Sequence, residues 1–116
     1  MRTALLAALL LTATSSTLVA DARDDAVAHV KFGIKVAQNN LWREAASQFE
    51  KATEIDPTYA AAWNNLAIAL EHQGELENAG RAYERASKLD PDNAYIQQNH
   101  ELFKEIHDRA TRQRSR

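Results

Sequence analysis

The chain has 116 residues, 45% hydrophobic and 26% charged, with a formal net charge of −2, a composition that fits at most one soluble helical domain. It contains no cysteine, which excludes disulfides, thiolate zinc sites, cysteine nucleophiles and a lipid-modified cysteine. Residues 21–108 hold 16 acids against nine bases, and so acidic a body argues against a nucleic-acid partner.

The first 22 residues differ from the rest. Arg2 precedes an Ala/Leu run from Ala4 to Leu11, then comes a polar stretch from Thr12 to Thr17, then Leu18-Val19-Ala20-Asp21-Ala22. A positive start, a short apolar core and spaced small residues predict a signal peptide over 1–22, cleaved after Ala20 or Ala22, and hence an exported protein, periplasmic or secreted. The run is too short to span a bilayer unaided. The alternative is an uncleaved amphipathic or anchoring helix. Membrane contact would come only through that helix or through the basic C-terminal tail.

From there the periodicity predicts five helices, over 25–38, 41–55, 58–72, 75–89 and 93–111, with no competing strand signal. After cleavage the chain would begin with Arg23-Asp24-Asp25, whose acids suit a helix start by capping and by complementing the helix dipole. In the third helix Trp63, Leu66, Ala67 and Leu70 lie at i, i+3, i+4 and i+7, and in the fourth Ala79, Tyr83 and Ala86 continue that spacing. Small residues at 67 and 79 let two helix axes approach while Trp63 and Tyr83 fill the space beside them. Gly74 is suited to the left-handed residue that ends a helix, as are Asn39 and Asn40 one unit earlier. Asp56-Pro57 and Asp90-Pro91 close each unit, proline being unable to continue the preceding helix and suited to the first turn of the next.

Those positions recur. Trp63, Leu66, Ala67, Leu70, Ala79, Tyr83, Ala86 and Pro91 reappear 34 residues earlier as His29, Phe32, Gly33, Val36, Ala45, Phe49, Ala52 and Pro57. Only His29 breaks the chemical match. A fixed period of this size marks units that cannot bury their apolar faces alone and must stack. The pattern W-x2-L-A-x2-L, then A-x3-Y-x2-A and a closing P, resembles the tetratricopeptide repeat, as two units over 26–59 and 60–93. The resemblance implies an all-α, short right-handed solenoid of antiparallel helix pairs whose concave face binds peptide segments of partner proteins. It implies binding, not chemistry.

A third unit would need Trp, Leu, Gly and Tyr where the chain has Gln97, His100, Glu101 and Lys104. Tyr95, Ile96, Asn99, Leu102, Phe103, Ile106 and Ala110 instead make an apolar stripe, so 94–111 is expected to be a capping helix with a polar outer surface. A basic tail follows over 112–116. Arg109, Arg112, Arg114 and Arg116 suit the negative end of a helix dipole, or else a contact with anionic lipid, an acidic partner or the acidic body. A folded part of about 94 residues in an open stack buries little core, which predicts marginal stability relieved by self-association or a permanent partner.

If the stack forms as the resemblance implies, the groove-facing positions are Val30, Ile34, Ala37 and Gln38, then Ala61, Asn64, Asn65, Ile68, Glu71 and His72. Asn65 stands where the family commonly has an asparagine that bonds a ligand's backbone. The subset of the family that grips a carboxylate needs Lys and Asn where this chain has Val30 and Ile34, and basic residues where it has Tyr95 and Asn99. The groove is thus expected to suit a neutral or amphipathic segment. The plain alternative is that Asn64 and Asn65 are ordinary surface residues.

No catalytic, metal or cofactor site is expected. His100 and His107 lie two helical turns apart, about 10 Å, too far to share an ion, and His29 and His72 have no ligand partner close in sequence. There is no glycine-rich phosphate loop, G-x-S-x-G or HExxH, and Glu75, Glu77 and Glu84 are expected to pair with Arg81 and Arg85 at helical spacing. Two readings remain: an exported adaptor that holds a peptide of a partner protein, and a small structural subunit that homodimerises or packs into a larger envelope complex.

Overall fold

The computed structural model describes the backbone of residues 2–116 and the side chains of residues 17–116. Five helices follow one another, α1 Arg2–Gln38, α2 Trp42–Ile55, α3 Ala60–His72, α4 Leu76–Leu89 and α5 Ala94–Arg114. Among the described residues there is no strand. Helices pack mainly on their neighbours in sequence, α1 on α2, α2 on α3, α3 on α4 and α4 on α5, with α1 also touching α3 and α3 touching α5. That is a stack of antiparallel pairs, as the repeat requires.

Turn chemistry sets the pairs. Asn40 takes φ 60° and Gly74 φ 77°. After α1, Leu41 N donates to Val36 O at 3.3 Å and Asn40 N to Ala37 O at 2.9 Å; after α3, Glu75 N donates to Leu70 O at 2.9 Å and Gly74 N to Glu71 O at 3.0 Å. Both are Schellman caps in the same register. The proline turns also match each other: Tyr59 N donates to Asp56 O at 3.1 Å and Asn93 N to Asp90 O at 3.2 Å. Pro57 and Pro91 lie in these turns, ahead of α3 and α5 rather than in their first turns.

The core is built largely from alanine. Ala26, Val30, Ala45, Phe49, Ala52, Leu66, Ala67, Ala79, Tyr83 and Phe103 belong to one buried cluster, and Ala60, Ala86 and Ile96 to a second. Small side chains bring the axes close, and a few rings fill what remains. At Gly33 a Cβ would come within 2.5 Å of the Phe49 ring, so the glycine there is a notch for that ring. Val36 and Leu70 pack on the cluster half-buried, and so does Trp63, whose indole N–H donates to Pro57 O at 2.9 Å. The mismatch at His29 is absorbed locally: its Nδ1 lies 2.8 Å from Gln48 Oε1, a polar pair where the next unit has Trp63 and Ala82.

Three expectations are corrected. Phe32, matched to buried Leu66, is 54% exposed. Leu66 lies between α2 and α4, lining a cavity with residues of both, whereas Phe32 has only α2 beside it, with no counterpart of α2 on its other side among the described residues. In the uncut chain the first helix does not start at 25: Asp24 and Asp25 lie inside α1, which runs unbroken from Arg2. The side chains of residues 1–16 of the expected signal segment lie outside the described residues. The carboxylates of α4 do not pair with its arginines: Glu84 binds Lys88 at 2.9 Å, Glu75 accepts from Asn78 at 3.3 Å, Arg81 bonds Asn78, and Arg85 lies over the Trp63 ring at 5.7 Å. The arginines turn toward the gap between α2 and α4 instead.

Candidate functional site

The first helix of each unit presents the same register to one wall. Ile34 on α1 and Ile68 on α3 meet across a cavity of about 230 Å³, whose lining also includes Ala37, Gln38, Trp42 and Asn65. Ile34 is 39% exposed, so the cavity has an apolar mouth as well as an apolar floor. Asn65 Nδ2 donates to Ala61 O at 2.8 Å, which fixes the amide and leaves Oδ1 as an acceptor for a ligand N–H. His72 stacks flat on Trp42, centroids 3.7 Å apart, closing one end of the cavity with an aromatic pair.

Of the expected groove residues, Ile34, Gln38, Asn65 and Ile68 come together, with Ala37 beside them. His72 joins them through Trp42. Glu71 instead accepts the Tyr83 hydroxyl at 2.7 Å; burial pushes the phenol well above its usual range, and the adjacent carboxylate adds to this. Val30 and Asn64 are not groove residues, at 4% and 2% exposure. Each lies one turn before a groove isoleucine, Ile34 or Ile68, and only about 40° round the helix from it, on the edge that turns into the stack. There Val30 joins the core, and Asn64 Oδ1 accepts from Asn99 Nδ2 at 3.3 Å, joining α3 to α5.

α5 supplies a third wall that reading it as a cap missed. Its buried Ile96 and Phe103 stand 34 residues after buried Ala62 and Ala69, so α5 repeats the orientation of α3. Tyr95, Asn99, Leu102 and Ile106 then correspond to Ala61, Asn65, Ile68 and His72, and Leu102 is 55% exposed. Tyr95 and Ile106 are exposed as well. Leu102 borders a shallow pocket with the polar Gln97, Gln98, Glu101, Lys104 and Glu105, so α5 carries the groove register on while its exposed apolar side chains stand at the edge of a polar face. The signal was available in the 34-residue register, 68 to 102 and 72 to 106. Trp42 had no such signal, because it reaches the groove from the start of a second helix.

The remaining histidines stack on rings: His100 on Tyr83 at 6.3 Å and His107 on Phe103 at 5.8 Å. Among the described residues no three His, Asp or Glu side chains cluster as metal ligands, and no helix is long and apolar enough to cross a membrane.

Known proteins match this architecture. The tetratricopeptide repeat family model covers residues 32–94. The chain is 31% identical over 85 residues to the tetratricopeptide repeat domain-containing protein PYG7, chloroplastic, of Arabidopsis thaliana, which spans 73% of this chain and 28% of that protein. It is 36% identical over 67 residues to the protein O-mannosyl-transferase TMTC1 of Mus musculus, over 58% of this chain and 7% of that protein. The chain therefore spans less than a third of these relatives. The crystal structure of the Sgt2 TPR domain from Aspergillus fumigatus is similar with a TM-score of 0.71 at 22% identity, over 75% of this chain and 59% of that one, a likeness of fold. The repeat register, the paired caps and a family match over more than half the chain agree: this chain belongs to the tetratricopeptide repeat family.

Proposed function

We propose that the chain is an exported adaptor that holds an amphipathic peptide segment of a partner protein in the wall formed by α1, α3 and α5. The observation that carries this is the apolar series Ile34, Ile68 and Leu102 at one 34-residue register, one residue per first helix, exposed at Ile34 and Leu102 and half-buried at Ile68, with the amides of Asn65 and Asn99 beside it. Apolar pockets supply affinity and the amides orient a backbone. No lysine and asparagine clamp stands at Val30 and Ile34, which disfavours an acidic chain end as ligand. The repeat fold serves binding rather than chemistry. The transferase named among the relatives shares only 7% of its length with this chain, and we assign no catalytic role here.

Export rests on the charge and apolar pattern of residues 1–22 and is tested by fractionation with N-terminal sequencing. A chain beginning at Asp21 or Arg23 outside the cytoplasm supports it, and an intact Met1 in the cytosol overturns it. Peptide capture is tested with Ile34→Glu and Ile68→Glu together. Loss of partner pull-down with unchanged helical circular dichroism is expected, and undiminished capture rejects the groove. The second reading, an assembly subunit, is favoured by exposed Phe32 at the open end of the stack. It predicts dimers by light scattering that Phe32→Ser dissociates.

A further inference from the structure

The second helices of the two units, α2 and α4, do not touch each other. Between them a slot of about 670 Å³ opens on the side of the stack away from the peptide groove, its floor made by Trp63, Leu66 and Leu70 of α3. Arg43 stands on the α2 bank and Arg81 and Arg85 on the α4 bank. Only four arginines lie between residues 23 and 108, and three of them line this slot. None of the three makes an ion pair among the described residues. Arg81 is bonded to neutral Asn78, and Arg85 lies over the Trp63 ring. Glu50 and Glu75 also line the slot, Glu75 accepting from Asn78, so cations exceed anions there on a body whose sum of charges is acidic.

We propose that this slot is a second docking surface, which takes an amphipathic helix bearing acidic residues along both edges of its apolar stripe. Trp63 to Leu70 is seven residues of floor, about 10 Å, which matches apolar side chains at i, i+3 or i+4, and i+7 of an occupant. The two banks are parallel helices, so the occupant packs as a third rod between them. Its carboxylates meet guanidinium groups that are already positioned and have no ion-pair partner to give up, the bidentate pairing that arginine favours. This surface is independent of the groove in the previous section, with which it shares none of the lining residues.

The chain's two tryptophans report the two faces separately, since Trp42 lines the groove and Trp63 the slot. The test titrates the full 15N-labelled chain with a designed helix of about 18 residues, leucine at the stripe positions and glutamate on both edges, and with its lysine-for-glutamate counterpart. Expected is a saturable shift of the Trp63 indole signal with the acidic helix only. The affinity should weaken several-fold from about 0.05 to 0.3 M salt, and about tenfold or more in Arg81→Glu with Arg85→Glu. The pair Ile34→Glu with Ile68→Glu leaves it intact. No saturable shift, equal response to both peptides, or movement of Trp42 alone overturns the proposal. Because the groove is read by Trp42, failure of one surface does not count against the other.

Discussion

At Gly33 the chain chooses packing over helix propensity. A methyl group there would meet the Phe49 ring at 2.5 Å, a clash that costs about 1–3 kcal/mol by overpacking, against a gain of about 1 kcal/mol for alanine over glycine in a helix. Gly33→Ala should therefore lower the urea midpoint, and combining it with Phe49→Leu should recover part of the loss. Gly80 also faces a phenylalanine ring but with more room, since its added Cβ would meet Phe103 at 3.2 Å. A ring edge can yield by a few tenths of an ångström, so Gly80→Ala should be neutral or stabilise by up to about 1 kcal/mol. Equal losses for both alanines would refute the distinction. Asp56 is a second residue-level case. Burial alone would raise its carboxyl, but hydrogen bonds from Thr58 and then Arg23, together with the Arg23 charge, hold it below the usual carboxylate range. A depressed folded pKa contributes stability above the ordinary carboxylate range and loses it as pH falls through the folded value. Asp56→Asn should thus cost about 1–2 kcal/mol at pH 7. The gap to the parent chain should narrow in strongly acidic solution, below the folded pKa, a change that paired urea melts at neutral and acid pH would read.

At the scale of elements, α2, α3 and α4 lie within two residues of their sequence expectation and α5 within three, because most boundaries are specified by a residue with one evident physical use. Gly74 supplies a positive φ, Asn40 does so where no glycine is available, and the Asp-Pro pairs stop α2 and α4. α1 departed from expectation because Asp24 and Asp25 can cap a helix only if nothing helical precedes them, and here helix does precede them. α5 was readable as an element but not as a groove wall. Its consensus positions are polar, which says only that no further helix pairs with it, while its apolar stripe could serve either core or ligand. Burial divides that stripe, with Ile96 and Phe103 inside and Leu102 and Ile106 outside. Only those two side chains of α5 are buried, so α5 should be the first helix to open. Amide exchange should be faster across 104–114 than across α3 at every temperature below the main transition. Phe103→Ala, at about 3–5 kcal/mol, should release α5 while α1 to α4 keep their helicity. Uniform protection through α5 would contradict both.

For the whole molecule, the repeat consensus specifies packing and leaves recognition to residues outside it. Ile34, Ile68 and the slot arginines carry no consensus duty, which is why the groove was legible only by family register and the slot not at all. The same logic locates the functional start of the folded part. Leu18 and Val19 are exposed. Arg23, by contrast, pairs with Asp56, donates to Thr58 Oγ1 at 3.1 Å and lies over the Tyr59 ring at 4.8 Å. It thereby ties the start of the stack to the turn between units. One of the two expected cleavage sites, after Ala22, falls directly before this residue. A chain beginning at Arg23 should accordingly unfold within about 0.5 kcal/mol of the full chain. One beginning at Ala26 should lose about 1 kcal/mol or more, because Asp56 is left buried without its guanidinium partner. If the chain starting at Arg23 were much the weaker, residues 1–22 would belong to the folded body and the cleavage assignment would fall with them. If Ala26 and Arg23 starts melted together, Arg23 would be an ordinary surface pair and the boundary would lie further along α1.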